Sequence, residues 1–203
     1  MFNSFDKKGD NMPKKMVVVA LAALLVVAFF GCGEKKQAKA EKPAVPEIQA
    51  TVETLNSAVV ASLAKTGPYA GVGQAINELF VWLKQNKIQP MGPPFGVYFD
   101  NPKEVKPEST RYEVCIRVPD STKAKPESEI KIKPFGGMQV ASTMYIGPYD
   151  KVGPTYGKLA RWAVTEGYEV TGPSIEFYIS DPGTTPAESL RSVTGIVVKP
   201  KPE

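Results

Sequence analysis

The sequence predicts an α+β fold: a duplicated βαββ module forming one or two curved antiparallel sheets with two helices, related by a pseudo-twofold axis. Three observations carry this reading. The chain matches itself without gaps at an offset of 80 residues. Each copy places a segment of helical apolar period directly after a Gly-Pro-Tyr turn. Alternating apolar runs bounded by glycine and proline flank that segment on both sides.

The repeat is carried by residues that seldom recur by chance. Val60-Ala61-Ser62 matches Val140-Ala141-Ser142, Gly67-Pro68-Tyr69 matches Gly147-Pro148-Tyr149, and Trp82 matches Trp162. Gly92-Pro93 then aligns with Gly172-Pro173, Tyr98 with Tyr178, and Glu108-Ser109 and Arg111 with Glu188-Ser189 and Arg191. The period is too long for a solenoid unit and occurs only twice, so it marks a duplicated module.

The elements follow in order. An apolar strand around 58–65, and around 138–146 in the second copy, ends where proline fixes φ in the Gly-Pro-Tyr turn. A helix is predicted over 71–86, with Val72, Ile76, Leu79, Phe80 and Leu83 on one face; its counterpart over 151–166 uses Val152, Tyr156, Leu159, Ala160 and Ala163. Trp82 and Trp162 lie near these stripes and read as core residues. A second strand at 95–100 (174–180), an Asn-Pro or Asp-Pro turn, and a closing strand at 111–118 (191–198) complete each unit. Cys115 sits in the alternating run of the closing strand and reads as a buried structural thiol.

Upstream of the repeat, Lys14-Lys15 precede an uncharged apolar run from Met16 to Phe30, too short to span a bilayer comfortably and suited to a signal peptide. Gly31-Cys32-Gly33 and an abrupt change to Glu, Lys, Gln and Ala follow, which resembles a bacterial lipobox. The expected organisation is a signal peptide over 1–31, a lipidated Cys32 with a flexible tether over 32–50, and a folded domain over 51–203 with repeats at about 54–119 and 134–199. An uncleaved membrane anchor with a coincidental cysteine is the alternative. Both put the domain outside the cytoplasm, held to the membrane, and in a cell with two membranes the lipobox reading sorts it to the outer one.

Composition excludes several functions. The 203-residue chain has no histidine, so a Ser-His-Asp or Cys-His centre and a His-containing zinc site are ruled out. The net charge of +4 resolves into +2 over residues 1–31, +2 over 32–42, and a neutral remainder with seventeen basic and seventeen acidic residues. A nucleic-acid binder concentrates positive charge on its folded part, so nucleic acid is not an expected partner.

The paired pattern of strand, Gly-Pro-Tyr, helix with Trp, Gly-Pro, short strand with Tyr, Asp/Asn-Pro and Glu-Ser-x-Arg resembles the GyrI-like small-molecule-binding domains over about residues 45–200. These include the effector-binding domains of AraC-type and multidrug-responsive transcription activators. The resemblance implies two βαββ (SHS2) modules fused around a pocket that takes bulky, lipophilic, often cationic molecules, without a cofactor or metal. Some relatives hydrolyse strained compounds with a pocket glutamate, and some inhibit DNA gyrase, an activity the export signal argues against. Haem binding, as in a related fold, lacks a histidine ligand here.

The family's pocket acid falls on Ser174-Ile175-Glu176-Phe177-Tyr178-Ile179-Ser180. Alternation gives Ile175, Phe177 and Ile179 one face, suited to packing on a helix, and Glu176 and Tyr178 the other, away from the helices. The matching position in the first copy is Gly96, so the acid breaks the internal symmetry. Two readings of Glu176 stand: a pocket carboxylate compensated by a lipophilic cation, or a solvated residue on the open face of a one-sided sheet. Tyr178, Tyr98, Tyr69, Tyr145 and Tyr149 are candidate lining residues, with hydrogen-bonded core or turn tyrosines as the alternative. The expected function is binding of a small amphipathic molecule; the competing one is hydrolysis by Glu176 with Tyr145.

Overall fold

The turns that punctuate the repeat set the architecture. In the computed structural model, which describes residues 48–123 and 128–202, Gly67 and Gly147 take φ of 137° and 141°, and a single 3-10 turn at Tyr69–Gly71 and Tyr149–Lys151 leads into each helix. The helices are α1 (Val72–Gln85) and α2 (Gly153–Thr165). Helix α1 buries Val72, Ala75, Leu79 and Leu83, and α2 buries Leu159 and Ala163. Leu79 and Leu159 are fully enclosed, and truncating either to alanine costs about 2–5 kcal/mol.

Among the described residues eight strands form one antiparallel sheet: β1 (Thr51–Thr54), β2 (Ala58–Thr66), β3 (Phe95–Tyr98), β4 (Arg111–Arg117), β5 (Lys131–Phe135), β6 (Gln139–Ile146), β7 (Tyr168–Tyr178) and β8 (Arg191–Pro200). Their order is β1-β6-β8-β7-β3-β4-β2-β5. Helix α1 lies on β2 and β4, and α2 on β6, β7 and β8. The predicted α+β class and the duplicated β-α-β-β order are both present, and each module gains a leading strand, β1 or β5, that the sequence reading did not assign. Strand β7 runs through the predicted Gly172-Pro173 turn as one strand, with a register shift between Val170 and Ser174.

The leading strands are exchanged between the copies. Strand β1 pairs with β6 (Thr51 with Ser142), and β5 pairs with β2 (Lys131 with Ser62), the same pairing displaced by the repeat offset. Each half therefore completes the sheet of the other. The halves also join at β3 and β7, where Gly96 lies opposite Glu176. Because these two positions match in the repeat, the pseudo-twofold axis passes between them.

Stepping through paired residues Leu63, Val114, Gly96, Glu176, Thr194 and Thr143 keeps to one face of the sheet, and both helices cover that face. One core beneath α1 contains Leu63, Leu79, Leu83, Val114 and Ile116; another beneath α2 contains Ala141, Leu159, Ala163, Ile196 and Val198. A further core occupies the opposite face, where Val60, Phe95, Val97, Cys115, Val140 and Ile175 meet Leu55, Phe135, Met138 and Phe177. Ile48 and Ala50 already pack on the α2 core, so the folded part reaches back into the last residues assigned to the tether. The expected signal peptide, Cys32 and the expected tether up to residue 47 lie outside the described residues.

Candidate functional site

The opposite-face core corrects one expectation. Ile175 and Phe177 pair with Val97 and Phe95 and point away from the helices, so Glu176 and Tyr178 face the helices instead. Alternation had separated the two sets correctly, but a sheet with a core on each face leaves open which set meets the helices.

Glu176 is thereby placed at the pseudo-twofold axis, on the side covered by α1 and α2, with 2 % of its surface exposed. Ser192 Oγ donates to Glu176 Oε1 at 2.6 Å. Among the described residues no Lys or Arg pairs with this carboxylate. Burial without a compensating charge pushes its pKa up to about 7, against the partial relief of the Ser192 hydrogen bond.

Tyrosines surround it. The hydroxyls of Tyr98 and Tyr178, equivalent residues of the two copies, hydrogen-bond to each other across the axis. Tyr69 packs edge-on against Tyr98 with centroids 4.8 Å apart, and Tyr149 does the same against Tyr178 at 5.1 Å. Burial and the negative charge of Glu176 raise the pKa of Tyr98, of Tyr178 and of Tyr156 on α2. These phenols are therefore neutral at physiological pH.

The predicted site residues thus divide. Glu176, Tyr98 and Tyr178 come together at the axis. Tyr69 and Tyr149 contribute ring edges, but their hydroxyls are committed to the following turns, donating to Asp100 O and Ser180 O at 2.7 Å each. Tyr145 lies two strands from Glu176, its hydroxyl donating to Pro148 O at 2.9 Å in its own turn. The proposed hydrolytic partner therefore makes no hydrogen bond to Glu176. Trp82 and Trp162 pack against the helix cores. Cys115 is fully buried, and burial pushes its thiol up to about 12, which keeps it protonated and inert.

Sequence reasoning missed a group around Glu176: Ser192, Thr194 and Tyr156, the last donating from α2 to Ile175 O at 3.1 Å. The repeat carried the signal. At the matching positions of the first copy stand Tyr112, Val114 and Ile76, so the second copy has small or polar groups around the acid where the first has none in common with it.

Residues 49–199 match the family of GyrI-like small molecule binding domains. This chain belongs to the GyrI-like family. Two DNA gyrase inhibitors are similar to it. That of Erwinia billingiae is 28 % identical over 112 residues, covering 53 % of this chain and 70 % of that protein. That of Edwardsiella piscicida is 28 % identical over 141 residues, covering 66 % and 88 %. Among solved structures, the C-terminal domain of EcmrR superposes with a TM-score of 0.66 at 21 % identity, covering 75 % of this chain and 98 % of that one. In the EcmrR–DNA complex this chain spans 58 % of the longer EcmrR chain. A hydrolase from Listeria innocua superposes with a TM-score of 0.57 at 16 % identity, over 77 % of this chain and 94 % of that one. These structural likenesses establish the GyrI-like fold of two fused βαββ modules; the chemistry of the site rests on its own residues.

Proposed function

We propose that this GyrI-like domain binds bulky lipophilic monocations, with Glu176 as the charge that recognises them. The observation that carries the reading is a carboxylate buried at the pseudo-twofold axis with one hydroxyl donor and no basic partner among the described residues. Such a group is costly to ionise in an apolar surround, and an incoming cation offsets that cost while its rings lie against aromatic edges. A neutral ligand gains only the aromatic contact, and an anion is repelled. The surrounding neutral tyrosines and the hydroxyls of Ser192 and Thr194 favour capture over chemistry, because none is activated as a nucleophile or base.

The leader extends the proposal. Lys14-Lys15, the apolar run and Gly31-Cys32-Gly33 support export and lipidation at Cys32, which would present the binding site on the outer side of a membrane. The test is native mass spectrometry of the full chain after exposure to an extract of the producing cells. The reading expects a retained small cation of unchanged mass that is lost in Glu176→Gln. Retention of an anion or of a chemically altered molecule would overturn it.

A further inference from the structure

The position of Tyr98 deepens this reading and rests on it. Gly96 and Tyr98 are two residues apart on β3 and therefore share a face, and the Tyr98 side chain folds back along the strand over Gly96. A β-carbon at Gly96 would lie 2.7 Å from Tyr98 Oη, 2.8 Å from Cζ and 2.9 Å from Cε2, closer than such atoms approach in proteins. The phenol thus fills the space where any other residue would have its side chain. Gly96 is also the register partner of Glu176, so this space adjoins the carboxylate. In the other half the equivalent of Gly96 is Glu176 itself, and Tyr178 has no bare backbone to lie on.

We propose that Tyr98 is a built-in occupant of the cation site and that Gly96 is its specificity-determining residue, a bare floor that selects a single flat aromatic ring over a propeller-shaped cation. The argument is one of shape. When Tyr98 rotates away from Tyr178, it vacates a volume one ring thick, on the order of 3.5–4 Å at carbon contact distance, bounded by Gly96 below and by the edge of Tyr69 at the side. A planar heteroaromatic cation inserts one ring there with its charge beside Glu176. A tetrahedral cation with twisted rings cannot lie on the same floor. The occupant is also a competitor, because every ligand must first break the Tyr98–Tyr178 contact, which lowers apparent affinity by the fraction of time the site stands open.

The experiment titrates the full chain in lipid nanodiscs, against empty nanodiscs, with N-methylacridinium as the flat cation, acridine as its uncharged isostere and tetraphenylphosphonium as the propeller-shaped cation. The wild type is expected to favour N-methylacridinium over tetraphenylphosphonium by about tenfold or more. Tyr98→Ala, which removes the occupant, should tighten N-methylacridinium by about tenfold, and Tyr98→Phe, which removes only the hydroxyl contact, by a smaller factor. Gly96→Ala should weaken it although Tyr98 is displaced, because the β-carbon fills the floor. If Gly96→Ala does not fold, the two Tyr98 variants decide. Unchanged or weaker binding in Tyr98→Ala makes Tyr98 a wall rather than an occupant and overturns the inference, as does equal wild-type affinity for the two cations. If Glu176→Gln loses the preference for N-methylacridinium over acridine while the Tyr98 variants show no gain, the cation site stands and this inference alone falls. If neither wild type nor Tyr98→Ala binds a cation, both fall.

Discussion

Replacing Glu176 by glutamine should change how stability depends on pH, and the size of the change can be worked from the burial of the carboxylate. Its pKa is about 7 in the folded protein against an ordinary 4.5. Between those values the folded state holds a proton that the unfolded state has lost, so folding stability falls as pH rises through this window and is flat above it. The difference of about 2.5 units corresponds to roughly 3 kcal/mol lost between the acid and alkaline limits. Glutamine keeps the size and the hydrogen bond from Ser192 but does not titrate, so the variant lacks this slope. Thermal unfolding of both proteins at about pH 5 and about pH 8 reads the effect directly. Relative to wild type, the variant should gain roughly 6–12 °C in Tm between the two conditions, at 2–4 °C per kcal/mol for a domain of this size. The carboxylates of Glu78 and Asp100, held low by Lys65 and Arg111, are common to both proteins and cancel in the comparison. Parallel pH profiles for the two proteins would refute the assignment of Glu176 as a buried, uncompensated acid.

Three further outcomes are expected. Below about pH 7 a monocation must displace a proton from Glu176, so its apparent affinity should fall by about tenfold per pH unit while that of a neutral isostere stays level; fluorescence titration across the range checks this. A fragment of residues 45–120 should not form a stable monomer, because β5 and the partner of β1 come from the other half; cooperative monomeric melting in circular dichroism would count against strand exchange. In cells fed a fatty-acid probe the chain should become labelled, and Cys32→Ser should abolish the label and leave a precursor; persistent labelling would remove the lipobox assignment.

The internal repeat made most of the fold legible, because matched glycines, prolines and tryptophans fix the same turns and helix in both copies. What it hid has physical causes. Strand β5 carries Pro134, and β1 is four residues long with two threonines, so neither has the alternating apolar signature; each exists because it adds to the other half's sheet edge. The face of Glu176 was misread because Ile175 and Phe177 find their core with Phe95 and Val97, a pairing that only the tertiary join of β3 and β7 creates. Glu176 itself was singled out by the family resemblance, which places a pocket acid on this strand, together with its mismatch with Gly96. The same comparison extended to Ser192 against Tyr112 and Thr194 against Val114 would have found its polar neighbours. The meeting of Tyr98 and Tyr178 could not be read from their match alone, since equivalent residues touch only when they lie near the symmetry axis.

The most direct measurement is calorimetric titration of wild type and Glu176→Gln at about pH 8 with a lipophilic monocation and its uncharged isostere, read as a double cycle. The account predicts that the substitution weakens the cation by on the order of 1–3 kcal/mol and leaves the isostere nearly unchanged. Equal losses for both ligands, or none for either, would contradict the claim that a buried carboxylate at the axis recognises positive charge.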